Sequence, residues 1–92
     1  MRIRELMNLD VEYSLIDGAF HKNFDRRGIN YEAVLTPFAM TGSACSIIKI
    51  DDVNDINNVT APVDSRTVLY KRFNDFKKQN LIDTIKEFML EY

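Results

Sequence analysis

The chain has 92 residues, 46 % of them apolar and 28 % charged, with twelve bases against fourteen acids and a net charge of −2. That composition describes one globular domain spanning 1–92; it excludes a disordered chain and a grossly basic nucleic-acid binder. A single Cys excludes an internal disulfide, and a single His leaves few acid–base arrangements, so a reducing compartment and surface recognition are expected rather than catalysis.

The first twenty residues carry two patterns. Leu6, Leu9, Tyr13, Ile16 and Phe20 fall within about 80° on a helical wheel. Val11, Tyr13 and Leu15 instead alternate with Glu12 and Ser14, as a strand does. Gly18 after Asp17 would end any helix. The reading is a short helix over 2–8 and an extended segment from Val11. Residues 1–5 lack the apolar core of a signal peptide.

Phe20, Lys22 and Phe24 alternate, as do Ile29, Tyr31, Ala33 and Leu35. Between them Asp25-Arg26-Arg27-Gly28 has Asp first and Gly fourth, which fits a type I turn and predicts a β-hairpin. Pro37 cannot donate to a ladder, so that strand ends there or runs along an edge. After a turn at Thr41-Gly42-Ser43, the run 44–50, apolar on both sides except for Lys49, reads as a third, central strand. The uncharged stretch 33–48 contains Pro37 and Gly42 and is not a membrane span, so a cytoplasmic protein without a membrane partner is expected.

Residues 51–64 show neither period and read as a long loop. Asp64 or Ser65 then caps a helix in which Leu69, Phe73 and Phe76 form a stripe. Leu81, Ile85, Phe88, Met89 and Tyr92 form a second stripe. On one continuous helix the two stripes point about 160° apart, so a break near 78–80 is expected, with Asn80 capping the last helix. An unbroken helix would need a second surface, such as a dimer partner. The fold class is therefore α+β: a short antiparallel sheet of three or four strands, a short N-terminal helix, and two C-terminal helices packed on the sheet.

Charge is laid out in blocks. Asp51, Asp52, Asp55 and Asp64 stand in a segment with no base. Arg66, Lys71, Arg72, Lys77 and Lys78 follow with one acid, Asp75. Asp83, Glu87 and Glu91 then recur every fourth residue, on one helix face about 6 Å apart. The acidic loop fails the calcium-loop pattern: counted from Asp52, the fifth and sixth positions are Ile56 and Asn57, and no Glu follows at the twelfth. No metal or cofactor is expected. Cys45 and His21 are the only nucleophile–base pair on offer, and neither lies in a motif of known mechanism.

The two acidic segments together suggest a docking surface made of Asp51, Asp52, Asp55, Asp64, Asp83, Glu87 and Glu91, facing a basic partner. In length and general make-up the chain resembles the small anti-restriction DNA-mimic proteins of tailed phages. That resemblance implies a non-enzymatic inhibitor in the host cytoplasm, occupying the DNA-binding surface of a host nuclease or other basic, DNA-binding protein. The alternative is a small nucleic-acid-binding module using Arg26, Arg27 and the basic 66–78 helix with Lys71, Arg72 and Lys78.

Overall fold

The computed structural model describes residues 11–50 and 66–91. Within them a five-stranded antiparallel sheet runs in chain order, with one helix laid across one face. The strands are β1 (Glu12–Ser14), β2 (Ala19–Arg26), β3 (Ile29–Pro37), β4 (Ser43–Ile50) and β5 (Thr67–Phe73); the helix is α1 (Lys78–Glu91). None of the described helices is long and apolar enough to cross a membrane.

The hairpin of β2 and β3 forms where the alternation puts it, but its turn is displaced. Arg26 pairs with Ile29, so the loop is Arg27-Gly28. Both loop residues have positive φ, 53° and 79°, which is the type I′ turn whose twist matches the flanking strands. A left-handed conformation is unfavourable for Arg by about 1 kcal/mol. Arg27→Asn should therefore raise stability by about 0.5–1 kcal/mol, seen as a Tm a few degrees higher in thermal melts. An unchanged or lower Tm would mean that Arg27 makes a compensating contact.

Alternation gives the sheet two faces. Phe20 and Phe24 of β2, Tyr31, Ala33 and Leu35 of β3, Cys45 and Ile47 of β4, and Leu69 and Phe73 of β5 share the face under α1. Leu81, Ile82, Ile85 and Phe88 descend onto that face from α1. Ring contacts between Phe24, Tyr31 and Phe88, with centroids 4.8–5.9 Å apart, lock the C-terminal half of the helix over β2 and β3. The opposite face carries a second buried cluster of Ala19, Val34, Ile48 and Ile50.

Two expectations about the end of the chain are corrected. Residues 67–73 form an edge strand rather than a helix, and only one helix closes the chain. The misleading stripe has a simple cause. Leu69 and Phe73 are four apart, an even spacing, so they share a face in a strand as well as in a helix. Thr67, Val68, Tyr70 and Phe73 favour a pleated surface, and Leu69 pairs with Ile47 on the edge of β4. A bulge opposite Ile47 and Ile48 inserts one extra residue and leaves Val68 exposed. Because the two stripes belong to different element types, their divergence no longer calls for a second surface.

The sheet is correspondingly larger than three or four strands, since β1 and β5 add an edge on either side. The helix begins at Lys78, before Asn80. Asn80 instead donates its side-chain amide to Asp75, at 2.7 Å to Oδ1 and 3.1 Å to the carbonyl, and so closes the bend into the helix. Buried Ser43 donates to the same Asp75 carbonyl at 2.6 Å, tying that bend to β4. The expected N-terminal helix over 2–8 and the loop over 51–64 lie outside the described residues.

Candidate functional site

Of the expected acidic surface, Asp51, Asp52, Asp55 and Asp64 lie outside the described residues. Asp83, Glu87 and Glu91 do share an outer face of α1, but the face is not purely acidic. Glu87 receives the ammonium of Lys71 from β5 at 3.0 Å, and Asp83 accepts from Gln79 Nε2 at 2.9 Å. Lys71 reaches the helix because it stands between Leu69 and Phe73 on the sheet face below α1, its ammonium 5.9 Å from the Phe73 ring. An exposed pair of this kind contributes at most about 1 kcal/mol. Its larger effect is to neutralise the middle of the acidic row.

The basic residues do not form one patch. Arg26 and Arg27 sit at the tip of the β2–β3 hairpin, with the Arg26 guanidinium 5.9 Å above the Phe88 ring. Lys71 and Arg72 are consecutive in a strand and so point to opposite faces. Lys78 opens α1. Arg72 stacks over the Phe38 ring at 5.1 Å, far along the sheet from the hairpin tip. A track for a nucleic-acid backbone would need these charges in line.

Cys45 and His21 are separated by the sheet. Cys45 faces α1, is fully buried, and lies against Thr84; burial pushes its thiol up to about 12 although the Thr84 contact opposes the rise. Such a thiol carries negligible thiolate at neutral pH and is a core side chain. His21 faces the other way, opposite Glu12 of β1 and Val34 of β3.

What His21 does meet is a pair of carboxylates. Its Nε2 lies 2.8 Å from Asp17 Oδ2 and its Nδ1 lies 3.0 Å from Glu32 Oε1. Asp17 belongs to the β1–β2 turn and is solvent-accessible, whereas Glu32 is buried in central β3. The Glu32 contact raises the His21 pKa, burial opposes the rise, and Asp17 adds to it. For Asp17, slight burial pulls upward, but the Ala19 amide and His21 outweigh it and lower the pKa. The ring nitrogens point in opposite directions, so the three groups do not converge on a point. Among the described residues no cluster of three such side chains is arranged to hold a metal.

The most exposed apolar side chains gather elsewhere. Leu15 is 89 % exposed, Ile16 99 % and Met40 93 %. Leu15 and Ile16 form the β1–β2 turn, and Met40 lies in the β3–β4 loop. The pairings Ser14 with Ala19, Phe20 with Leu35 and Pro37 with Ser43 bring both loops to the same end of the sheet, on adjacent hairpins. Beside Met40 an open cleft of about 510 Å³ is lined by Phe38, Thr41, Arg72, Phe73 and Asn74. Gly42 shapes that end. Its φ of +95° and the approach of the Phe73 carbonyl let the β3–β4 loop fold close against the end of β5. The loop closes with the Phe38 amide donating to the Gly42 carbonyl at 3.1 Å.

Periodicity could not flag Leu15, Ile16 or Met40, because a period along the chain does not tell whether an apolar side chain at a turn or in a loop is covered. The pairing of His21 with Glu32 did have a signal. Both sit on the same face of a hairpin in either turn register, since registers that differ by two preserve the faces. No protein-family model, curated protein or solved structure matches the chain.

Proposed function

We propose that the protein is a non-enzymatic protein-binding module, an inhibitor or adaptor, that meets its partner through the loop end of the sheet. One observation carries this reading: Leu15, Ile16 and Met40, the three most exposed large apolar residues among those described, lie on two neighbouring loops. Apolar side chains grouped this way leave water only when another surface covers them. Complete burial of each is worth about 1.5–3 kcal/mol. Beside them, Arg72 over Phe38 supplies the kind of arginine and aromatic anchor that protein interfaces favour.

The anti-restriction form of the proposal adds Asp51, Asp52, Asp55, Asp64, Asp83, Glu87 and Glu91 as an acidic contact surface for a basic or DNA-binding host protein. It is supported by the shared face of the last three, and it must contend with the Lys71–Glu87 pair.

Pull-down from a host lysate with mass spectrometry, at low and at high salt, tests the two contributions. The variant Leu15→Ser/Ile16→Ser/Met40→Ser should lose the captured protein at both salt concentrations while keeping the native circular dichroism spectrum. Loss only with Asp51→Lys/Asp52→Lys/Asp55→Lys/Glu87→Lys, and only at low salt, would move the contact to the acidic surface. Retention by both variants, or tight binding of the native chain to lipid vesicles or to DNA instead, would overturn the proposal.

A further inference from the structure

We propose that Asp17, His21 and Glu32 form a proton-dependent clasp that fastens the β1–β2 turn, with Leu15 and Ile16 on it, to the body of the sheet. An ionised carboxylate only accepts, and a neutral imidazole has one N–H. Here both ring nitrogens lie within hydrogen-bonding distance of carboxylate oxygens, at 2.8 and 3.0 Å. Only the imidazolium can donate to both. With a neutral ring, one nitrogen lone pair faces a carboxylate oxygen, and one contact must yield.

The two anchors differ in how they are held. Glu32 sits in central β3, paired with Asn23 on one side and Ile48 on the other, and is 6 % exposed. Asp17 stands on the turn with its side chain accessible to water. Loss of the proton therefore releases Asp17, and the ring keeps its remaining N–H for Glu32. Among the described residues, the carboxylates of Glu32 from β3 and Asp17 from the turn both favour the cation, and Glu12 stands across on β1. Farther along the same row stand Val34, Ser46 and Tyr70.

What Asp17 lets go is weakly held otherwise. β1 is three residues long and pairs only with β2 among the described strands. The turn keeps the Gly18 amide on the Ser14 carbonyl at 2.8 Å, and the Ile16 amide on Ser14 Oγ at 3.3 Å. The Ala19 amide donates to Asp17 Oδ1 at 3.0 Å, so the carboxylate that reaches His21 also braces the turn from within. Segments with so few restraints open first.

The sign of the pH dependence follows from the raised pKa of His21. A group held more basic in the folded state than in the unfolded chain contributes fully below the unfolded value, about 6.5. That contribution is lost as pH rises through the folded value. The turn is thus fastened on the acid side and loosens as the solution becomes alkaline. Any effect on partner capture rests on the proposed binding role of Leu15 and Ile16; the clasp itself does not.

The test uses the full chain without a partner. NMR titration of the His21 ring between pH 5 and 9 should give a midpoint above that of an unhindered histidine. The amide resonances of residues 15–19 should move with the same midpoint. Exchange of the Gly18 and Ala19 amides, corrected for intrinsic hydroxide catalysis, should rise severalfold across it. Asp17→Asn, at an accessible position, should lower the His21 midpoint and remove the pH dependence of the turn while leaving the β3 and β4 amides protected. A His21 midpoint at or below the ordinary value, or turn amides indifferent to it in the native chain, would overturn the clasp.

Discussion

Gly42→Ala is expected to destabilise the domain by about 3 kcal/mol. Two costs combine. At φ +95° an L-residue is strained by about 1–2 kcal/mol. A Cβ there would also stand 2.7 Å from the Phe73 carbonyl oxygen and 3.4 Å from the Phe38 ring. The first of these atoms is backbone, so relief requires the end of β5 to move. Phe73 pairs with Ser43, and Ser43 holds the Asp75 carbonyl, so the shift propagates into the bend that starts α1. Overpacking of this kind adds about 1–3 kcal/mol.

Gly28 is the internal control. Its φ is +79°, but nothing lies within 4 Å of the added methyl. Gly28→Ala should cost only the strain, about 1 kcal/mol. Urea melts of the two variants measure the difference. Equal losses would show that the close approach at Gly42 is relieved at no cost.

Leu35→Ala is the second large effect, about 3–4 kcal/mol, or a fall in Tm of roughly 15 °C. Leu35 is fully buried in central β3, between Phe20 and Cys45 in register and beneath α1. Truncation there removes transfer energy and leaves a cavity that two rigid layers cannot collapse to fill. The same substitution at Leu15, which is 89 % exposed, should change stability by less than about 0.5 kcal/mol. Leu15→Ala thus separates a contact surface from a core: it should disturb binding and spare folding. A large stability loss at Leu15 would place that side chain against the body of the protein and remove it from the interface.

Several elements are legible in the amino-acid order alone. The alternation at Phe20, Lys22 and Phe24, and from Ile29 to Leu35, put the right side chains on the face beneath α1. Misplacing the turn by one residue did no harm, because the register moved by two and each side chain kept its face. The interior place of β4, between β3 and β5, followed from a run that is apolar on both faces except for Lys49. The strand over Thr67–Phe73 was not legible, since Leu69 and Phe73 satisfy both periods. The inward Lys71 that distinguishes them makes sense only once Glu87 is seen above it at 3.0 Å. The grouping of acids along Asp83, Glu87 and Glu91 was readable from their spacing, but the lysine that divides the row comes from another element.

The alternating hairpin of β2 and β3, the amphipathic stripe of the last helix and the presence of one His and one Cys can all be read along the chain. These are local properties, written in spacing and composition. It took the folded sheet to turn Cys45 and His21 to opposite sides, to close Asp17 and Glu32 on one imidazole, and to bring Leu15, Ile16 and Met40 to one end. Each of those depends on strand order and register across the sheet, which bring together residues that no periodic rule along the chain connects.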